Sequence, residues 1–161
     1  MKSQLMGMAL AMMPVMALAD TEVVDGIEWT YLIVDGEACI GAGWSSRAVP
    51  WDTSGDIVVP TQLGGCEVRK INDGAFDNLH EITSVELPDG LTDIGANAFS
   101  YCDRLESIKI PNGVTNVGYQ AFGSCASLSE IRLPAELVSI GDAAFLDCSA
   151  LATIDIPLCV T

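Results

Sequence analysis

The sequence has 161 residues, 22 acidic and 7 basic side chains, and a formal net charge of −15. That length suits one domain with its own core, and a chain that is 50% apolar is no disordered acidic tail. The acidic balance argues against nucleic acid and anionic membrane surfaces as partners, and 6% aromatics is too few for stacking platforms.

Residues 1–19 read as an export leader. A single charge, Lys2, precedes an apolar run from Leu5 to Leu18, which closes on the small-x-small pattern Ala17-Leu18-Ala19. All six Met residues of the chain lie here. The run is short for a membrane span and Pro14 interrupts it, so an uncleaved anchor is the lesser alternative and no span is expected after cleavage. The expected localisation is secreted, extracellular, periplasmic or cell-surface.

Residues 20–60 read as an N-terminal β cap. Trp29 to Val34 predicts a strand, Asp35-Gly36 a hairpin turn and Glu37 to Ile40 the return strand. A loop from Gly41 to Gly55 holds Trp44, Pro50 and Trp51. Ile57-Val58-Val59-Pro60 then reads as a strand ended by proline.

From residue 61 to 157 the chain repeats. Phe76, Phe99, Phe122 and Phe145 are spaced by 23 residues. In the same register run Leu79, Cys102, Cys125 and Cys148; Val85, Ile108, Ile131 and Ile154; and Pro88, Pro111, Pro134 and Pro157. Such a period marks a solenoid, in which each coil buries its apolar side against its neighbours. The alternation in Ile108-x-Ile110 predicts a short strand, stacked in parallel on the next at roughly 4.8 Å. Ala98 to Cys102 suits one or two helical turns. Gly95, Gly118 and Gly141, with Asn72 in the first unit, predict a positive φ at one bend. Residues 158–161 are left as a short tail.

The run Leu105-Glu106-Ser107-Ile108-Lys109-Ile110-Pro111, continuing through Val114, Val117-Gly118 and Ala121-Phe122 to Cys125, resembles the BspA-like (treponemal-type) leucine-rich repeat family. The resemblance covers about Ile57 to Pro157. It implies a right-handed leucine-rich-repeat solenoid of parallel strands and short helical turns, β-rich, behind a β-hairpin cap. It also implies a secreted, non-enzymatic protein-binding module, often adhesive. The alternative is a partial solenoid with a scaffold role, its function residing in other sequence.

Neither a catalytic nor a cofactor site stands out. Cys102, Cys125 and Cys148 would point in parallel along a ladder, whereas zinc needs tetrahedral convergence, so a buried apolar column is expected rather than a metal site. Cys39 and Cys66 lie outside the column and form the candidate disulfide. His80, the one histidine, follows core Leu79 and reads as a surface residue. The candidate binding residues face outward on successive strands: Ser84 and Glu86, Ser107 and Lys109, Glu130 and Arg132, Thr153 and Asp155. Trp44 and Trp51 in the cap loop are the alternative anchors, with Tyr101, Tyr119 and Arg104. The expected partner is another protein or a surface glycan. The last strand, Leu151 to Ile156, would leave an open edge, so end-to-end self-association is expected.

Overall fold

The structure is a computed structural model that describes residues 18–43 and 47–161. The export-leader reading therefore lies almost wholly outside the described residues, as does Trp44.

Among the described residues there are twelve strands. They are β1 (Asp20–Val24), β2 (Ile27–Val34), β3 (Glu37–Ile40), β4 (Gly55–Val58), β5 (Gln62–Leu63), β6 (Cys66–Ile71), β7 (Ile82–Glu86), β8 (Asp93–Ile94), β9 (Ser107–Lys109), β10 (Asn116–Val117), β11 (Glu130–Arg132) and β12 (Ser139–Ile140). One sheet has the order β1-β2-β3-β6-β8-β10-β12, with β5 also paired to β6; the other has the order β4-β7-β9-β11. Each repeat but the last thus contributes one strand to each sheet, and from β3 onward all strands of the first sheet's path run parallel. The proline after β7, β9 and β11 has no N–H to give, and the chain turns there toward the other sheet.

The N-terminal hairpin forms as expected. Asp35 and Gly36 adopt φ of 53° and 82° in the turn between β2 and β3. A second Asp-Gly pair, Asp25-Gly26, makes the same turn and pairs an unexpected strand, β1, with β2. Gly64-Gly65 turns a further small hairpin, β5 to β6. β4 falls within the span read as the cap, yet it is the first strand of the second sheet, parallel to β7.

Between the sheets the aromatic column forms a stack. The rings of Phe76, Phe99, Phe122 and Phe145 lie at successive centroid distances of 4.9, 5.3 and 5.6 Å, within 4° of parallel. Phe76, Phe99 and Phe122 are fully buried and Phe145 is partly so. Trp29 meets Phe76 edge-on at 6.2 Å and is itself 1% exposed.

The third side of the coil is not helical, contrary to expectation. Residues 73–78, 96–101, 119–124 and 142–147 form turns. Asn97 and Tyr101 adopt φ of 52° and 56°, and their counterparts Gln120, Ser124, Ala143 and Asp147 do likewise. A helix cannot run through such residues. Their amides point instead to the next coil. Asn97, Phe99 and Tyr101 donate to the carbonyls of Tyr119, Ala121 and Gly123 at 2.7–2.8 Å, and the coils on either side repeat the pattern. Coil-to-coil bonds replace the bonds a helix would make within itself.

The glycine column also differs in cause. Gly95, Gly118 and Gly141 are not among the positive-φ residues; that conformation falls two positions later. Glycine is needed because the previous coil presses against it. A Cβ on Gly118 would lie 2.5 Å from the nitrogen of Ala96 and from the carbonyl carbon of Gly95.

The expected strand from Leu151 to Ile156 is not formed. Its Ile154 is only partly buried and its Ile156 is exposed. β11 is consequently the last strand of its sheet. Residues 158–161 keep the repeat register rather than trailing away. Val160 packs against the core, and the Thr161 amide donates to the Val138 carbonyl at 3.0 Å, continuing the ladder Thr92, Thr115, Val138.

Candidate functional site

The second sheet carries a regular outer face. Its side chains alternate, so Ile57, Val85, Ile108 and Ile131 point inward while their neighbours point out. Register fixes the outer rows. Asp56, Ser84, Ser107 and Glu130 form one row, and Val58, Glu86, Lys109 and Arg132 the next. Six of the residues expected on this face are therefore brought together by three consecutive strands. Thr153 and Asp155 are exposed but stand on no strand.

Two features give the face chemical character. Asp56 accepts hydrogen bonds from Ser84 and Thr83 hydroxyls at 2.8 Å, which hold its carboxyl below the ordinary range. At the other end, Lys109 and Arg132 sit in adjacent strands. Arg132 pairs with Glu130 at 2.9 Å, whereas Lys109 makes no ion pair among the described residues. A depression of about 240 Å³ lies between these two cations, lined by Ser107, Ile108 and Glu130 as well. A smaller one, about 100 Å³, flanks Lys109 on the side of Glu86 and Pro111.

A pattern of this kind has a recognisable owner. Residues 67–161 match the BspA type leucine rich repeat region in six copies. The chain belongs to the BspA-type leucine-rich repeat family. Among solved structures it is similar to a T. pallidum leucine-rich repeat protein, at 27% identity and a TM-score of 0.62, over 80% of this chain and 69% of that one. It is also similar to a Bacteroides ovatus leucine-rich repeat protein, at 31% identity and a TM-score of 0.72, over 87% of this chain. The chain spans 36% of that Bacteroides protein. No curated protein matches the sequence.

The BspA-type cysteine column is buried as expected, and it does more than fill space. The thiols of Cys102, Cys125 and Cys148 donate to the carbonyls of Phe76, Phe99 and Phe122 in the previous coil, at 3.3, 3.1 and 3.0 Å. A weak donor thus meets a carbonyl inside the core, where an unpartnered one is costly. Leu79 occupies this column in the first unit. Burial, and then the neighbouring thiol of Cys125, push Cys102 well above the usual thiol range. Cys148 is pushed up to about 11, first by burial. Among the described residues no three His, Cys, Asp or Glu side chains are grouped to hold a metal.

The expected Cys39–Cys66 bond is not formed, and both residues are free thiols. β3 pairs with β6 so that Cys39 stands opposite Lys70. Cys66 is four residues back along β6, about 13 Å away at strand rise, beyond the reach of a disulfide.

Raised thiol values make a testable statement about pH. Cys148 deprotonates at an ordinary 9.0 when unfolded and at about 11 when folded. The folded state therefore holds a proton that the unfolded state loses, so stability falls as pH rises from 9 toward 11. Denaturation at stepped alkaline pH should show this fall, smaller in Cys148→Ala. In a labelling experiment at neutral pH, Cys159 should react first, and Cys102 and Cys125 only on unfolding. Early modification of either would contradict the hydrogen-bonded column.

The sequence offers Trp51 as an alternative anchor, but not the residues that the structure sets beside it. The loop containing Trp51 lies beside residues 78–81, leaving a groove of about 890 Å³ between them. Trp51 is 77% exposed. Along this edge the His80 Nδ1 meets the Asp103 carboxylate at 2.7 Å, and Arg104 pairs with Glu81 at 2.7 Å. Tyr101 and Tyr119, the other aromatic candidates, are each half exposed on the turns.

Proposed function

We propose that the chain is a non-enzymatic protein-binding module acting outside the cell, adhesive in character, and that it binds through the outer face of β7, β9 and β11. The observation that carries this is the adjacent pair Lys109 and Arg132 in a protein of net charge −15. Long-range charge repels acidic partners, and Lys109 with Arg132 supplies two adjacent cations that attract them at short range. A partner segment bearing carboxylates, laid across the strands, would meet both cations and the apolar floor at Ile108. Leucine-rich repeats in general serve as protein-interaction scaffolds, which supports the reading.

The export-leader reading of residues 1–19 supports placement in the secreted or cell-surface fraction. No helix among the described residues is long and apolar enough to cross a membrane. In this proposal the solenoid is right-handed, and β1 to β3 with Trp29 serve as the cap that closes the N-terminal end of the Phe stack. The sheet face is then a rigid platform built on regular strands.

The test is charge reversal. Lys109→Glu with Arg132→Glu should leave the circular dichroism spectrum and melting unchanged, since both side chains are exposed. Binding to a partner selected from displayed extracellular proteins should fall by about tenfold or more, mostly through a slower and less salt-sensitive on-rate. Unchanged binding in this variant would remove the sheet face as the site.

A further inference from the structure

The groove at Trp51 presents chemistry unlike that of the sheet face. Its lining combines the exposed indole of Trp51 with the polar side chains of Arg47, Asp52, Asn78, His80 and Glu81. Its volume of about 890 Å³ falls in the range of small-molecule sites. The polar groups are already held in place. Asp103 engages His80 through Nδ1, which leaves Nε2 as the outward nitrogen. Arg104 engages Glu81, and Arg47 donates through Nε to the Asp77 carbonyl at 2.7 Å.

We propose that this groove is a saccharide subsite selective for neutral sugar rings. An indole face is electron-rich and attracts the C–H face of a pyranose, while the ring's hydroxyls need both donors and acceptors around its edge. Asn78, His80, Glu81 and Asp52 supply both kinds. Charge sets the selectivity. Asp52, Asp77, Glu81 and Asp103 outnumber Arg47 and Arg104 there; Arg104 pairs with Glu81, and Arg47 donates only to the neutral Asp77 carbonyl. Four carboxylates against two arginines leave this edge net negative, which disfavours a sialic or uronic acid carboxylate. An acidic ligand of the kind suited to Lys109 and Arg132 is repelled here, so the two loci take different partners. The inference stands independently of the sheet-face proposal.

Titration calorimetry of the intact protein with maltohexaose, hexa-N-acetylchitohexaose and hexagalacturonate tests it. One or both neutral hexamers should bind, and the anionic hexamer should not. Trp51→Ala should weaken the neutral hexamer by about tenfold or more, and Trp51→Tyr should retain most of the affinity, because a ring remains for stacking. Circular dichroism confirms that each variant folds, as expected for so exposed a side chain. Lys109→Glu with Arg132→Glu should leave saccharide binding untouched. The proposal is overturned if neither neutral hexamer binds at millimolar concentration, if Trp51→Ala binds as the native protein does, or if the anionic hexamer binds more tightly than the neutral ones.

Discussion

Phe99→Ala should lower the unfolding free energy by about 3–5 kcal/mol, the range for emptying a large aromatic from a packed core. Phe99 lies between Phe76 and Phe122 with both faces covered and no exposed surface. Its loss removes two stacking contacts, and the coils cannot close over the gap because inter-coil hydrogen bonds fix their spacing. Phe145→Ala should cost less, since that ring is only partly buried and has a ring contact on one face. Urea denaturation of the two variants gives the comparison. Equal losses would mean that the stack contributes no more than its exposed end does.

The second large effect is expected at a position with no side chain. Gly118→Ala places a Cβ 2.5 Å from the backbone of Gly95 and Ala96. Backbone cannot step aside as a side-chain tip can, so the coils must part locally. A cost of about 3 kcal/mol is expected, the upper end of ordinary overpacking. Gly90→Ala is the control. Its nearest neighbour is the Arg69 guanidinium at 3.6 Å and its φ is not positive, so the change should stay within about 0.5 kcal/mol. A Gly118→Ala protein as stable as the Gly90→Ala one would show that the coils are not in close contact at this column.

Much of this architecture is legible in the sequence because burial repeats with the coil. The 23-residue spacing from Phe76 to Phe145 places the inward columns, and the structure buries them as that register requires until the last coil, where Leu151 and Ile154 are only partly buried and Ile156 is exposed. The strands of the second sheet follow, because β7, β9 and β11 alternate inward and outward residues. What failed was the conformation of the third side. Gln120, Ala143 and Tyr101 carry no signature of a left-handed backbone, yet hydrogen bonds between coils impose it on them. Glycine at 95, 118 and 141 was visible as a requirement, but freedom of φ and lack of space leave the same mark in a single sequence. β1 was missed because Asp20 to Val23 are all exposed, so no alternation betrays the strand.

The candidate site divides along the same line. Ser84, Glu86, Ser107, Lys109, Glu130 and Arg132 could be placed on one face because parallel strands in register leave no freedom. The groove at Trp51 could not, because it depends on where a non-periodic loop settles against residues 78–81. The thiol bonds from Cys102, Cys125 and Cys148 were half visible. Their burial follows from the column, whereas the carbonyl each one meets lies 26 residues back, across the turn of a coil.

Both proposed binding surfaces rest on coils tied to one another rather than on turns that hold themselves. Through-hydrogen-bond NMR couplings read this directly, since each reports which carbonyl an amide nitrogen is bonded to. The Phe99 nitrogen should couple to the Ala121 carbonyl carbon, with matching pairs Phe76 to Ala98 and Phe122 to Ala144. Couplings from Phe99 to Gly95 and from Phe122 to Gly118, four residues back, would instead reveal helical turns and contradict a scaffold bonded from coil to coil.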